Sequence, residues 1–146
     1  MISPVPTRAQ LRDLSEFARI QTASFPPHLA YKRWMLFVFW CFPGVTFAVT
    51  RDGEKVTGGI ISDTHRGMIR IMNIAVHPDY RRHGIGRALM RSVLEARPHD
   101  SAVLMVQEEN TAAQALYREL GFVQSGYLGA YYGPGRGGIE MTLRRG

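Results

Sequence analysis

Residues 71–89 read Ile71-Met72-Asn73-Ile74-Ala75-Val76-His77-Pro78-Asp79-Tyr80-Arg81-Arg82-His83-Gly84-Ile85-Gly86-Arg87-Ala88-Leu89, and this stretch decides the fold. The Ile- and Met-rich run over residues 68–76 predicts a long strand, and Pro78 with its polar neighbours a loop over residues 77–83. A helix then opens at Gly84, carries Ile85, Leu89 and Val93 inward at helical spacing, and stops before Pro98. A helix start of this kind presents unpaired backbone N–H groups and the positive end of the helix dipole, a combination that binds phosphate or pyrophosphate. Gly84 and Gly86 let an anion approach the main chain, while Arg81, Arg82, His83 and Arg87 cluster around them. Two nucleotide-binding patterns fit poorly. Leu89 stands where the dinucleotide fingerprint needs its third glycine, and Arg87 follows Gly86 where a P-loop needs Lys and then a hydroxyl residue. On spacing alone, an ordinary glycine-opened strand–helix turn is an equal reading.

Downstream, residues 102–106 form a continuous apolar run of buried-strand type. Asn110 is a good N-cap for a helix with Ala113, Leu116, Tyr117 and Leu120 on one face and Gly121 at its end. Residues from Phe122 onward and residues 139–143 predict two closing strands separated by a glycine-rich loop at residues 133–138. Upstream, residues 7–21 predict a first helix, capped by Thr7, with Leu11, Leu14, Phe17, Ala18 and Ile20 along one stripe. Residues 31–40 predict a second helix, apolar nearly all round and stopped by Pro43-Gly44. Strands at residues 45–50 and 56–62 flank the hairpin signal Arg51-Asp52-Gly53-Glu54. The predicted order is α-α-β-β-β-α-β-α-β-β, a mixed α/β layer.

The 146 residues suit one domain, expected over 1–146, with 45% apolar and 21% charged residues, close to the globular average. Cys41 is the lone cysteine, so no intramolecular disulfide forms and a reducing, cytoplasmic setting is expected; inside its apolar run it reads as packing. The longest apolar run, residues 34–43, is about half a membrane span. The opening MISPVPTRAQ lacks the regions of a secretory leader. His28, His65, His77, His83 and His99 have no ligand-like spacing, so no metal is expected. Eighteen basic against twelve acidic residues give +6, which favours an anionic partner. Because the arginines concentrate at the turn and no reader motif appears, a phosphorylated small molecule is expected rather than nucleic acid.

Arg81-x-x-Gly84-x-Gly86, preceded by Ile74-Ala75-Val76-His77-Pro78, resembles the acetyl-CoA-binding signature of the GNAT superfamily of N-acetyltransferases. Asn110-x-x-Ala113-x-x-Leu116-Tyr117-x-x-Leu120-Gly121-Phe122 resembles its second signature. Tyr131-Tyr132 before Met141-x-Leu143, and Ala23-Ser24-Phe25-Pro26, resemble the branch of ribosomal-protein alanine and archaeal protein N-terminal acetyltransferases. The resemblance implies a GNAT fold of the α+β kind: a mixed, mostly antiparallel sheet of about six or seven strands flanked by about four helices. It implies acetyl transfer from acetyl-CoA to a primary amine, foremost a protein N-terminus, by direct attack in a ternary complex, with no metal. The enzyme would be a monomer or homodimer. Ile74, Ala75 and Val76 would lie along the pantetheine arm. Arg81, Arg82, His83, Gly84, Ile85, Gly86 and Arg87 would wrap the pyrophosphate, and Asn110 would touch the pantetheine region. Tyr117 would protonate the departing thiolate, and Tyr131 and Tyr132 would contact the acceptor.

The chain departs from that branch in two places. A Glu or His often stands twelve residues before the matching Tyr as general base, and here that position is Met105. Gly137-Gly138 stand where relatives often carry an acidic residue and alanine. An α-amine of pKa near 7.7–8.0 is roughly 10–20% neutral at pH 7, a lysine about 0.04%, so a missing base favours the N-terminal amine. Glu108, Glu109 and Glu140 are candidates for a relay. Alternatives are acetylation of a small amine or lysine, a non-catalytic CoA-binding sensor, and a nucleic-acid module. The apolar residues 34–42 line an acceptor groove, make a dimer contact or form a fully buried helix.

Overall fold

The computed structural model describes residues 4–145. Residues 1–3 and 146, the ends of the expected domain and of the opening stretch, lie outside the described residues. The elements run β1 (Thr7–Arg8), α1 (Asp13–Ser24), α2 (Arg33–Cys41), β2 (Val45–Asp52), β3 (Lys55–His65), β4 (Met68–Val76), α3 (Ile85–Ala96), β5 (Ser101–Gln107), α4 (Thr111–Glu119), β6 (Val123–Leu128) and β7 (Gly138–Leu143). A short 3-10 turn, Pro78–Tyr80, leads into α3. The strands form one seven-stranded sheet, ordered β1-β2-β3-β4-β5-β7-β6, in which only the β4–β5 pair is parallel. Seven strands with one parallel pair, and four helices, match the architecture that the resemblance implies. Among the described residues no helix is long and apolar enough to cross a membrane.

Each face of the sheet buries its own core. Ile85, Leu89, Met90 and Val93 of α3 and Tyr117 of α4 pack on Ile60, Ile69, Leu104 and Met141. Leu14, Phe17 and Ile20 of α1 and Leu36 of α2 pack on Phe47, Val49, Ile61 and Ala75. Two consecutive glycines of β3 admit both layers, because adjacent strand residues point to opposite faces. A Cβ on Gly58 would lie 2.8 Å from Ile85 Cγ2, and one on Gly59 would lie 2.7 Å from the Phe17 ring.

The N-terminal expectations are corrected. Thr7 does not cap a helix: it pairs with Val49 across β1–β2, and its hydroxyl accepts from Arg51 at 2.6 Å. The helix begins at Asp13 instead, whose carboxylate accepts the Gln10 N–H at 2.7 Å and pairs with Arg51. A short polar side chain caps whichever helix start its own backbone permits, and strand pairing removes Thr7 from that role. Leu11, ahead of the helix, is exposed rather than inward.

The second helix is not buried all round. Only Leu36 is fully buried, while Trp34 (65% exposed), Phe37, Val38 and Phe42 face solvent. The helix lies on β2 and α1 near the open edge of the sheet, so one stripe suffices for its packing. Trp40 anchors it through an indole N–H to Ala9 O at 2.8 Å, and Phe39 stacks on Tyr31.

Phe17 is fully buried and already edge-on to Phe47, with ring centroids 5.5 Å apart, so it has little room to yield. Gly59→Ala is therefore expected to destabilise the protein by about 1–3 kcal/mol, read as a lowered midpoint in urea unfolding.

Candidate active site

The site begins where two neighbouring strands part. Parallel pairing of β4 with β5 runs from Met68–Ser101 to Ile71–Leu104 and stops, although β4 continues to Val76 and β5 to Gln107. Each remains held from its outer side, β4 by β3 as far as Gly58–Val76 and β5 by β7 as far as Gln107–Gly138. The divergence opens a cleft of about 650 Å³ through the sheet. It is lined on the α3/α4 side by Leu104, Val106 and Tyr117, and on the other by Asn73, Met105 and Glu140. The His77 N–H donates to Thr57 O at 2.8 Å, so antiparallel alternation turns the main-chain groups of Ile74 and Val76 away from β3 and toward the opening. Consistent with this, the Val76 carbonyl accepts from Arg81 Nε at 3.4 Å.

Five of the expected site residues line that cleft: Ile74, Asn110, Tyr117, Tyr131 and Tyr132. Asn110 caps α4, its side chain accepting the Ala113 N–H at 3.1 Å. Gln114 ties the same helix to the end of β5, donating to the carbonyls of Gln107 and Glu108 at 3.1 and 2.8 Å. These two fastenings fix Tyr117, which packs beside Phe122 with ring centroids 6.1 Å apart. Burial pushes the Tyr117 phenol up to about 12. Among the described residues no fully buried side-chain polar atom lacks a partner. The Tyr117 hydroxyl, bonded to no protein group, thus opens into the cleft. Tyr131 and Tyr132 stand edge to face at 4.9 Å in the loop after β6, with Tyr131 exposed. Tyr132 is raised, by burial first and then by neighbouring tyrosines.

The remaining expected residues lie at the end of β4 and around the start of α3, outside the lining of the cleft. Gly84 adopts φ +76 as the N-cap and supplies the carbonyl for the first intrahelical bond, from Ala88 at 3.0 Å. Gly86 lies against α4, where a Cβ would sit 3.3 Å from Leu116. Arg82 also holds a positive φ of 66, a conformation uncommon for a residue with a side chain. Arg82 and His83 are exposed. Two arginine side chains are already engaged: Arg87 pairs with Glu119 of α4, and Arg81 also reaches Ser24 Oγ at 3.3 Å. Ala75 and Ile85 are core residues that offer only their main chains.

Sequence reasoning missed the braces behind the site. Gln21, fully buried, exchanges two hydrogen bonds with Asn73 on β4, at 2.7 and 3.0 Å, which fixes α1 along one wall. The departure at Gly137-Gly138 has a steric cause. A Cβ on Gly137 would lie 2.5 Å from both Glu108 Oε2 and the Tyr127 hydroxyl, which are bonded to each other at 2.9 Å. A Cβ on Gly138 would meet Tyr131 Cβ at 2.8 Å and Met105 Cε at 2.9 Å. None of residues 34–42 lines the cleft; Phe25, Leu29 and Tyr31 from the end of α1 and the α1–α2 loop do so instead.

The candidate site is thus a sheet parted between its central strands, with a glycine-opened helix start on one side. The profile described as "Acetyltransferase (GNAT) family" matches residues 12–122, and the chain belongs to that family. Among relatives, the [ribosomal protein bS18]-alanine N-acetyltransferase of Escherichia coli strain K12 is 37% identical over 91 residues, 60% of this chain and 61% of that protein. The chain thus matches less than two thirds of that relative's length. N-alpha-acetyltransferase 30 of Homo sapiens is 35% identical over 99 residues, 62% of this chain and 27% of that protein. The crystal structure of the Escherichia coli ribosomal-protein-S18-alanine enzyme superposes with a TM-score of 0.84 at 24% identity, covering 97% of this chain and 93% of that one. The NatC complex bound to Gag peptide and CoA superposes at 0.80 with 21% identity, covering 99% and 100%. At these identities the two superpositions speak for the fold.

The folded protein holds the Tyr117 proton more tightly than the unfolded chain, whose phenol has the ordinary value of 10.0. Stability is therefore expected to fall as pH climbs from 10 to about 12, by on the order of 2 kcal/mol from this residue. Tyr117→Phe should flatten that fall in denaturation curves taken at a series of alkaline pH values.

Proposed function

We propose that this chain transfers an acetyl group from acetyl-CoA to the α-amine of a protein N-terminus, working as one domain in the cytoplasm. The observation that carries this reading is the parted β4–β5 pair, with Tyr117 reaching it from one face and an open groove on the other. The relatives that acetylate ribosomal-protein alanine and protein N-termini support the choice of acceptor.

The residues present fit acetyl-CoA. The main-chain groups of Ile74 and the Val76 N–H, which β3 does not pair, would offer strand-like hydrogen bonds to the amides of a pantetheine arm. The α3 N-terminus beyond Gly84 suits a pyrophosphate, because a helix leaves its first N–H groups unpaired and its dipole attracts anions. Arg82 and His83 add exposed donors beside it, whereas Arg81 and Arg87 act by bracing the turn. Bound there, acetyl-CoA supplies a thioester activated for attack by an amine.

The remaining chemistry belongs to the protein. Tyr131 and Tyr132, with Tyr31 and Leu29, form an aromatic and apolar rim for the first residues of a peptide. The opening between the strands brings amine and acyl carbon together from opposite faces, which lowers the entropic part of the barrier. The Val76 N–H, turned away from β3, would offer a donor to the carbonyl oxygen as it gains charge. Tyr117, protonated throughout the neutral range, gives its hydrogen to sulfur as the carbon–sulfur bond breaks.

Mass spectrometry of an N-terminal peptide library after incubation with acetyl-CoA is expected to show single 42-Da additions, about the mass of one acetyl group, on α-amines; an unmodified library overturns the reading. Tyr117→Phe is expected to lower kcat by roughly 10²–10⁴-fold with little change in the KM for acetyl-CoA, as initial rates of thiol release will show.

A further inference from the structure

We propose that the carboxylate of Glu140 takes the proton from the acceptor amine; this rests on the transferase reading above and names the base that reading lacks. Met105 on β5 and Glu140 on β7 are directly opposed in the antiparallel register, so their side chains share one face of the sheet. That face is the peptide side of the cleft: the alternate residues Leu104, Val106, Ile139 and Met141 are buried on the other. Both Met105 and Glu140 line the cleft, and among the described residues Glu140 is its only carboxylate. A carboxylate absent from β5 is thus present one strand over, on the same wall.

Its surroundings hold the carboxylate from one side only. Ser125 Oγ donates to Glu140 Oε1 at 2.7 Å and is itself 2.7 Å from Thr142 Oγ1, so Thr142 can donate to Ser125 while Ser125 donates onward. Ser125 thus occupies Oε1 and leaves Oε2 for the incoming nitrogen. The β6 register shift between Gln124 and Gly126 sets Gly126 opposite Glu140. The other ionisable groups lining the cleft are Arg70, paired with Asp63, and the phenols of Tyr31, Tyr117, Tyr131 and Tyr132. Glu108, at the end of β5, is bonded to Tyr127 and does not line the cleft.

The protons balance. The ammonium loses one proton to Glu140, which passes it to solvent, and the neutral nitrogen attacks the acyl carbon. The carbon–sulfur bond breaks, sulfur takes the Tyr117 proton, and the phenol regains one from the nitrogen as the amide forms.

The test is kcat/KM for a peptide acceptor, measured with wild type and Glu140→Gln from pH 6.5 to 9.5. An α-amine of pKa near 7.7–8.0 becomes neutral unaided across that range. The expected result is a loss of roughly five- to tenfold at pH 7, where roughly 10–20% of the amine is neutral, that shrinks to within about twofold at pH 9, with the KM for acetyl-CoA unchanged. An undiminished rate, or a loss of equal size at every pH, overturns the proposal. Should Gln at 140 cost the fold, the exchange Met105→Glu with Glu140→Met returns a carboxylate to the same wall. It is expected to work within about tenfold of wild type at pH 7, and an inactive exchange that folds and binds acetyl-CoA overturns the proposal. A wild type that acetylates no amine sinks the transferase reading itself, whereas an active wild type with an unaffected Glu140→Gln sinks only this assignment.

Discussion

Everything in the site follows from a sheet that cannot stay paired along its middle. β4 and β5 are the one parallel pair, and they hold together only as far as Ile71 and Leu104. Beyond that each follows its antiparallel partner, and the main-chain groups of β4 that face β5 are left over. Unpaired backbone needs a partner, which in an open cleft is water or whatever binds there, so the parted strands must be held by contacts other than their own pairing. The chain supplies them from outside: the Gln21–Asn73 exchange pins α1 to one wall, and Gln114 with Asn110 pins α4 to the other.

The walls differ in chemistry as well as position. On the α3/α4 side Tyr117 belongs to the main core and keeps its proton because burial disfavours the phenolate. On the opposite side Glu140 sits among hydroxyls, with Ser125 and Thr142 in line behind it. A dry donor and a hydroxyl-supported acceptor placed across one opening suit a reaction that gives a proton to sulfur and removes one from nitrogen.

Much of this was legible in the amino acids. Residues 71–89 announce the strand, turn and glycine-opened helix because local backbone preferences dominate there, and Asn110 to Gly121 announces its helix through a cap at each end. The hairpin at Gly53, with φ +62, was equally local. Thr7 was misread because its role depends on a strand partner some forty residues away. For residues 34–42 the fully buried reading fails because an apolar run says what could be buried, not how much neighbouring surface exists to bury it. Glu140 could not be singled out, since its meaning lies in a register that sets β7 between β5 and β6. The engagement of Arg87 by Glu119 is likewise a meeting of two helices that no spacing reveals.

The paired glycines of β3 carry a mechanical consequence. Phe17 rests on one side of the strand and Ile85 on the other, at consecutive residues, with no side chain between either of them and the backbone. The helices of the two faces therefore stand on the same two residues of the strand. Neither can settle deeper without pressing on backbone that the other already touches, so the thickness of the whole molecule is set at this one point.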